Sequence, residues 1–357
     1  MFLLDLYFAV IILLSMEETI LRARKVSELL ALYYDSNHNG RPDTGEFLSF
    51  DVPGDMEDIN EAFGNPNLQH ASVTIYNPTK PIHRDGKKFL MGRVEPVETE
   101  DSRIMFFEES GSVWRIVDEA PVLGLQDPFH ISDVQGWYVI GGVKTFEKPN
   151  DVKKITYKTV FYRYKKDLNE LFDEQRKVVS PFAAGPDGMK DIRLIDLKNG
   201  KIAVFTRPQG GHAGPGKIGY IEIDNLEQLE KAIPRARIIE NQFHEDEWGG
   251  ANELHLLKDG KIGVLGHIAH FDEACIRHYY AMAFVFTPET RKASHLEILT
   301  TADEFPPVKP KTGELGGIIF SGGLHRNPDG TADLYVGVGD VRAGKIKIKD
   351  PFLKYED

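Results

Sequence analysis

One pattern returns five times between residue 77 and the C-terminus, and it limits the chain to very few folds. Each copy opens on a polar signature and a short apolar strand, then turns at a polar residue followed by glycine. A second apolar strand follows, in most copies ending on a polar side chain. The copies run Asn77-Pro78-Thr79…Asp85-Gly86…Arg93, Asp127-Pro128-Phe129…Gln135-Gly136…Val143, Lys190-Asp191…Asn199-Gly200…Arg207, Asn252-Glu253…Asp259-Gly260…His267 and Ser321-Gly322-Gly323…Asp329-Gly330…Asp340. Asp-Gly, Asn-Gly and their near relatives suit hairpins because these residues tolerate positive φ. Further strand pairs lie between the copies, and the spacing is roughly 50 to 70 residues, close to one four-stranded blade with its connections. The expected fold is all-β, a five-bladed β-propeller with a short N-terminal helical extension. No segment after the first helix is both long and helically periodic, which counts against a doubly wound α/β fold. A two-sheet sandwich would need no regular repeat.

Residues 1–46 form the expected extension and 47–357 the catalytic propeller. Glu17 to Tyr34 has a helical period, with Ile20, Val26, Leu29, Leu30 and Tyr33 in phase. Asp35, Asn37, Asn39, Gly40 and Glu46 then match the calcium-loop pattern D-x-[DN]-x-[DN]-G-x5-E. However, Pro42 stands where such loops carry an apolar residue, and 47–52 reads as a strand rather than an exiting helix. A polar turn from helix to strand is the favoured reading, with Ca2+ at Asp35–Glu46 as the alternative. Phe2 to Leu14 is apolar but interrupted by Asp5, and it lacks both a basic lead and a small-residue cleavage site. It is also shorter than the roughly 20 residues that span a bilayer, so no stable membrane anchor is expected.

A net charge of −12 repels nucleic acid and anionic membranes, so neither is an expected partner. The single cysteine, Cys275, precludes an intrachain disulfide and fits a reducing compartment, which makes the cytoplasm the expected location.

In a propeller the innermost strand of each blade lines a central channel. Polar residues at the start of that strand, or at the end of its neighbour, therefore converge on one axis. That position collects Asn77, Arg93, Asp127, Lys190, Asp191, Arg207, Asn252, Glu253, His267 and Asp340, with Glu95, His130, Arg193, His270, Ser321 and Arg342 beside them. Each alone has a bland explanation as a solvated, paired or buried polar group. Their recurrence at one register is what singles them out. Lys190, Arg207 and His267, with Arg93 nearby, supply cations and donors suited to phosphate. Asp127, Asp191, Glu253 and Asp340 supply acids and sugar-hydroxyl acceptors, joined by the amides of Asn77 and Asn252. Glycoside hydrolysis needs two carboxylates, whereas in phosphorolysis phosphate is itself the nucleophile and only an acid is required. An acid beside a basic cluster favours a phosphorylase. The alternatives are a hydrolase using Glu253 or Asp340 as base (for mannosides, an inverting β-mannosidase), and a non-catalytic glycan-binding propeller. No metal is expected, since His267 and His270 stand three apart on a strand and so face opposite ways.

These residues resemble a known group. Tyr76-Asn77-Pro78, Gly92-Arg93-Val94-Glu95, Gln126-Asp127-Pro128-Phe129, Lys190-Asp191, Arg207-Pro208 and Ser321-Gly322-Gly323…Asp340 are similar to motifs of glycoside hydrolase family 130, the mannoside phosphorylases and mannosidases. More closely they resemble the sister family long labelled domain of unknown function 1861, which contains the Leishmania-type mannosyltransferase/phosphorylases (glycosyltransferase family 108). The resemblance runs from about residue 70 to the C-terminus. It implies an inverting reaction on β-1,2-linked mannosides, with phosphate or mannose 1-phosphate as co-substrate and no further cofactor. By the same resemblance Asp127 is the acid, acting through a sugar hydroxyl. Lys190, Arg207, His267 and Arg93 would hold phosphate, and Asn77, Asp191 and Asp340 would bind sugar hydroxyls. One departure is that Phe129 follows Pro128 where the typical family 130 motif carries an Arg. No Gly-rich strand-to-helix turn marks a nucleotide pocket.

Overall fold

The computed structural model describes residues 23–37, 44–51, 73–97, 101–148, 151–166, 168–172, 180–313 and 315–356. Most of their regular structure is β-strand, so the all-β class holds. Helix α1 (Val26–Asn37) is followed by two short strands, β1 (Glu46–Phe47) and β2 (Phe50–Asp51). The strands make up one 15-stranded sheet and two four-stranded sheets, and their antiparallel runs fall into five consecutive groups. The first contains β3 (Val73–Tyr76), β4 (Ile82–Arg84), β5 (Lys87–Pro96), β6 (Arg103–Ser110) and β7 (Val113–Ile116); β3 and β4 lie end to end on β5. The second contains β8 (Gln126–Val134), β9 (Trp137–Lys148), β10 (Asp151–Lys165) and β11 (Ala183–Ala184). The third contains β12 (Arg193–Asp196), β13 (Ile202–Thr206), β14 (Gly219–Ile223) and β15 (Arg237–Ile238). The fourth contains β16 (Trp248–Leu256), β17 (Ile262–Phe271), β18 (Arg277–Thr287), β19 (Lys292–Ala293) and β20 (Glu297–Thr300), and the fifth β21 (Leu315–Arg326), β22 (Thr331–Val338) and β23 (Arg342–Lys349).

The polar-Gly signals form the hairpins, through two geometries. At Asp85-Gly86 and Gln135-Gly136 both turn residues have positive φ, as two-residue hairpin turns require. At Gly200, Gly260 and Gly330 only the glycine does, at 82°, 93° and 82°. There the preceding carboxylate or amide accepts a backbone N–H two residues on: Asn199 from Lys201, Asp259 from Lys261 and Asp329 from Thr331, each at 3.0 Å.

Each group packs its apolar faces on the next. Met91 and Phe106 of the first meet Tyr138 and Ile140 of the second, and Phe161 of the second meets Val204 of the third. The third and fourth share a cluster containing Phe205 and Phe286, and the fourth and fifth one containing Leu265 and Leu334. The circuit closes between fifth and first, where β23 meets β3 in parallel. The segment after α1 staples this closure, since β1 pairs antiparallel with β23 and β2 parallel with β7. The expected strand 47–52 is thus two pieces serving two different groups.

Helix α1 spans Val26–Asn37, beginning later and ending later than the periodicity predicts; residues 17–22 lie outside the described residues, as do 38–43 of the calcium-like turn. Val26, Leu29 and Tyr33 recur on one face and are buried in the cluster shared by the third and fourth groups. Burial contributes about 1.5–3 kcal/mol for each of Val26 and Leu29. Glu247 caps the helix from a distance, its Oε1 accepting the Val26 N–H at 2.7 Å. Among the described residues no helix is long and apolar enough to cross a membrane.

Candidate active site

The site begins with backbone conformation. Asn77, Asp127 and Asp191 have φ of 48°, 49° and 57°, in the left-handed region where Asn and Asp are the least disfavoured non-glycine residues. Each stands at one end of the first strand of its group: Asn77 just after β3, Asp127 second in β8 and Asp191 just before β12. In the second, fourth and fifth groups the inner strand slips against its neighbour there, between Gln126 and Phe129, Ala251 and Glu253, and Ser321 and Gly323. Such bulges re-aim side chains. Glycine makes the room: a Cβ on Gly337 would lie 1.7 Å from Asn77 Oδ1, and one on Gly250 2.7 Å from Asp191 Oδ2. Asp340 joins from the turn between β22 and β23, also at positive φ, 56°.

Five of the expected residues, Asn77, Arg93, Asp127, Lys190 and Asp340, line a cavity of about 290 Å³. Asp127 is the meeting point. Its Oδ1 accepts from Asn77 Nδ2 at 2.8 Å and Arg93 Nη1 at 3.2 Å, and Lys190 Nζ stands 3.9 Å from Oδ2. Behind it Arg93 is fixed by Glu95, with Nη2 to Oε2 at 2.6 Å, and by Ser102 Oγ at 2.9 Å. Tyr76 Oη donates to Glu95 Oε1 at 3.2 Å, and Lys311 pairs with the same oxygen.

Asp191, Arg207 and His267 form a second, fully buried layer. Arg207 Nη1 donates to Asp191 Oδ2 at 3.0 Å, and His267 Nε2 is 3.9 Å from that oxygen. Among the described residues Asp191 Oδ1, Arg207 Nε and His267 Nε2 are buried without a hydrogen bond, as is Asn77 Oδ1 beside the cavity. Buried polar groups left open in one place call for a partner, which ordered water or a polar ligand can supply.

The electrostatics divide the carboxylates. Burial raises the Asp127 carboxyl, but Arg93, Lys190 and the Asn77 bond outweigh it and hold the group below its ordinary range. Asp191 is likewise opposed by burial, yet Lys190 and Arg207 bring it to about 2. Asp340 goes the other way: burial raises it, and the neighbouring Asp127 charge adds to the rise against the pull of Arg93. Burial drives His267 down to about 3, so the expected cation is a neutral imidazole.

Asn252 and Glu253, expected at the sugar, lie outside the cavity lining. Asn252 Oδ1 is 2.8 Å from His267 Nδ1, and its carbonyl accepts from Arg193 Nε at 2.5 Å, so it supports the imidazole from behind. The bulge at Asn252 sends Glu253 toward the fifth group, where it accepts the Leu324 N–H at 2.6 Å and pairs with Lys80. In turn, Arg277, Tyr279, Lys311, Thr312 and Phe320 line the cavity without having been expected there. Arg277 and Tyr279 belong to β18, the third strand of its group, and Lys311 to the connection before β21, so neither sits at the repeated register.

The sequence pattern of a family described as a protein of unknown function, DUF1861, matches residues 68–354. Three solved structures resemble the chain over nearly its whole length. MPT-4, a mannose phosphorylase from Leishmania mexicana in complex with phosphate ion, is 29% identical with a TM-score of 0.76, over 93% of this chain and 95% of that one. MPT-1, a GDP-Man-dependent mannosyltransferase from Leishmania mexicana, is 29% identical with a TM-score of 0.73, over 91% and 95%. A hypothetical protein from Leishmania major is 27% identical with a TM-score of 0.73, over 92% and 97%. No curated protein matches the sequence.

Proposed function

The chain belongs to the DUF1861 family, and from that premise we propose that it is an inverting mannoside phosphorylase or mannosyltransferase working on β-1,2 linkages with phosphate or mannose 1-phosphate. The five strand groups are then the blades of a five-bladed propeller, with the cavity at their axis. The observation that carries the reading is the pairing, in one cavity, of the ionised Asp127 with the cations Arg93 and Lys190, backed by the open polar atoms of Arg207 and His267. Two of the similar structures are a mannose phosphorylase and a GDP-Man-dependent mannosyltransferase. Both names describe mannosyl transfer, and both a phosphate ion and the phosphates of GDP-Man call for cations at the reacting end.

In the synthetic direction an acceptor hydroxyl attacks C1 of mannose 1-phosphate. The C1–O bond to phosphate breaks with inversion, phosphate leaves toward Lys190, and the hydroxyl proton passes through a sugar hydroxyl to Asp127. Phosphorolysis runs the same steps backwards, with Asp127 returning the proton. Hydrolysis would need a second carboxylate free to activate water. Glu253 is committed to Lys80 and Leu324, which leaves Asp340, whose carboxyl burial raises, as the base on which that alternative rests.

The test is phosphate-dependent release of mannose 1-phosphate from β-1,2-mannobiose. Asp127→Asn should lower turnover by about 10²–10⁴-fold while sugar binding persists. Turnover indifferent to phosphate would instead indicate a hydrolase, and an Asp127→Asn variant unchanged in every assay would indicate a binding module.

A further inference from the structure

One wall of the cavity climbs the fourth strand group. Between β17 and β18, His267 faces Ala281, Ala269 faces Tyr279 and Phe271 faces Arg277, while β16 sets Trp248 opposite Ala269. Residues two apart on a strand share a face, as do directly paired residues on neighbouring strands. His267, then Trp248 with Tyr279, then Phe271 with Arg277 therefore rise in order along one side of the sheet. The contacts bear out the ladder. The His267 and Tyr279 rings are 5.3 Å apart, and Trp248 Nε1 donates to Tyr279 Oη at 3.4 Å. Trp248 and Phe271 rings are 5.0 Å apart, and the Arg277 guanidinium lies 5.5 Å from the Phe271 ring.

The ladder runs from dry to wet. His267 is 1% exposed and Phe271 is 52% exposed, one of two large apolar side chains more than half exposed among the described residues. Phe271 stands between Trp248 and Arg277, an exposed ring outside the cavity lining but in contact with an arginine that belongs to it. Arg277 and Tyr279 line the cavity itself. Arg277 Nε is buried and makes no hydrogen bond among the described residues. The cavity, at about 290 Å³, lies at the floor of the roughly 300–1,000 Å³ range of small-molecule sites. If the cavity holds the mannosyl unit and phosphate, the next sugar of an oligosaccharide extends past Arg277 toward Phe271.

We propose that Phe271, Trp248 and Arg277 form the acceptor subsite, with Phe271 stacked on the C–H face of the sugar across the transferred bond and Arg277 Nε donating to one of its hydroxyls. This rests on the reading of the protein as a mannoside phosphorylase or mannosyltransferase. A pyranose offers one face of C–H bonds between hydroxyl edges, which suits an aromatic ring flanked by a donor. A purine base is the competing occupant, because aromatic rings and guanidinium planes also hold nucleobases.

The deciding experiment uses the full chain and its Phe271→Ala and Phe271→Tyr variants, each first checked for a native unfolding midpoint. In phosphorolysis of β-1,2-mannotriose, Phe271→Ala should raise the KM for the trisaccharide about tenfold, the scale of one lost aromatic contact. The KM for phosphate should stay in place, and Phe271→Tyr, which keeps the ring, should behave as wild type. In parallel, tryptophan fluorescence is titrated with β-1,2-mannotriose or with guanosine diphosphate, and Trp248→Phe identifies the responding side chain. Quenching of Trp248 by the trisaccharide, lost in Phe271→Ala, supports the subsite. Unchanged KM and quenching in Phe271→Ala overturn it, as does quenching by guanosine diphosphate alone. Absence of any phosphorolysis by the wild type would fell the functional reading, while the fluorescence titration would still decide the subsite.

Discussion

Replacing Asp191 by Asn isolates the electrostatic keystone of the buried layer. Asp191 is 1% exposed, and its carboxyl is held at about 2 rather than 3.8 by Lys190 and Arg207 against the cost of burial. That gap corresponds to about 2 kcal/mol of folding stability at neutral pH. Because the folded-state value lies below the unfolded one, the contribution is complete above about pH 4 and is lost as pH falls from there toward 2. Asn keeps the shape but removes the charge, leaving Arg207, whose Nη1 is 3.0 Å away, buried beside an amide. Stranding one member of a buried pair costs about 3–5 kcal/mol. Urea unfolding of Asp191→Asn at pH 7 should therefore show a loss of about 3 kcal/mol. Repeated at pH 3, where the wild-type carboxylate has begun to lose its advantage, the gap should narrow by about 1 kcal/mol. A variant within about 0.5 kcal/mol of wild type at pH 7, the range of ordinary surface substitutions, would refute the reasoning. So would a gap that stays constant on acidification.

Gly337→Ala would drive a methyl group into Asn77, whose Oδ1 would lie 1.7 Å away. It should cost about 1–3 kcal/mol and visibly lower the thermal midpoint; an unshifted melting curve would mean that the inner edge is looser than described. His267, driven to about 3 by burial, is expected to stay neutral at ordinary pH. Sulfate, which does not itself titrate there, should bind with the same affinity from pH 5.5 to pH 7.5 in calorimetry, whereas tighter binding at the acid end would reveal an imidazolium.

Hairpins and inner register were legible because both depend on local backbone chemistry. The polar residues before Gly86, Gly136, Gly200, Gly260 and Gly330 mark positive-φ turns, and Asn77, Asp127 and Asp191 themselves enter the left-handed region. Asn and Asp are the side chains that tolerate that conformation, so one preference exposed both the repeat and three members of the site. Glu253 shows where such reading fails. It continues the same polar signature, yet the bulge at Asn252 redirects it toward Lys80, and no local preference announces a bulge there. His267 fails differently: its position at the register was readable, but its charge follows from burial, which depends on everything packed around it.

By itself, then, the sequence determined the strand periodicity, the turn positions and a common register from which Asn77, Arg93, Asp127, Lys190 and Asp340 reach one cavity. These are properties of a few consecutive residues, decided by sterics and hydrogen bonding within each hairpin. Only the tertiary structure decided in which direction the Asp127 and Asp340 carboxyls shift, that Arg207 and His267 stand behind the cavity, and that Arg277, Tyr279 and Lys311 complete its walls. Those depend on desolvation and on charges brought together from separate strand groups, and neither exists until the groups pack against one another.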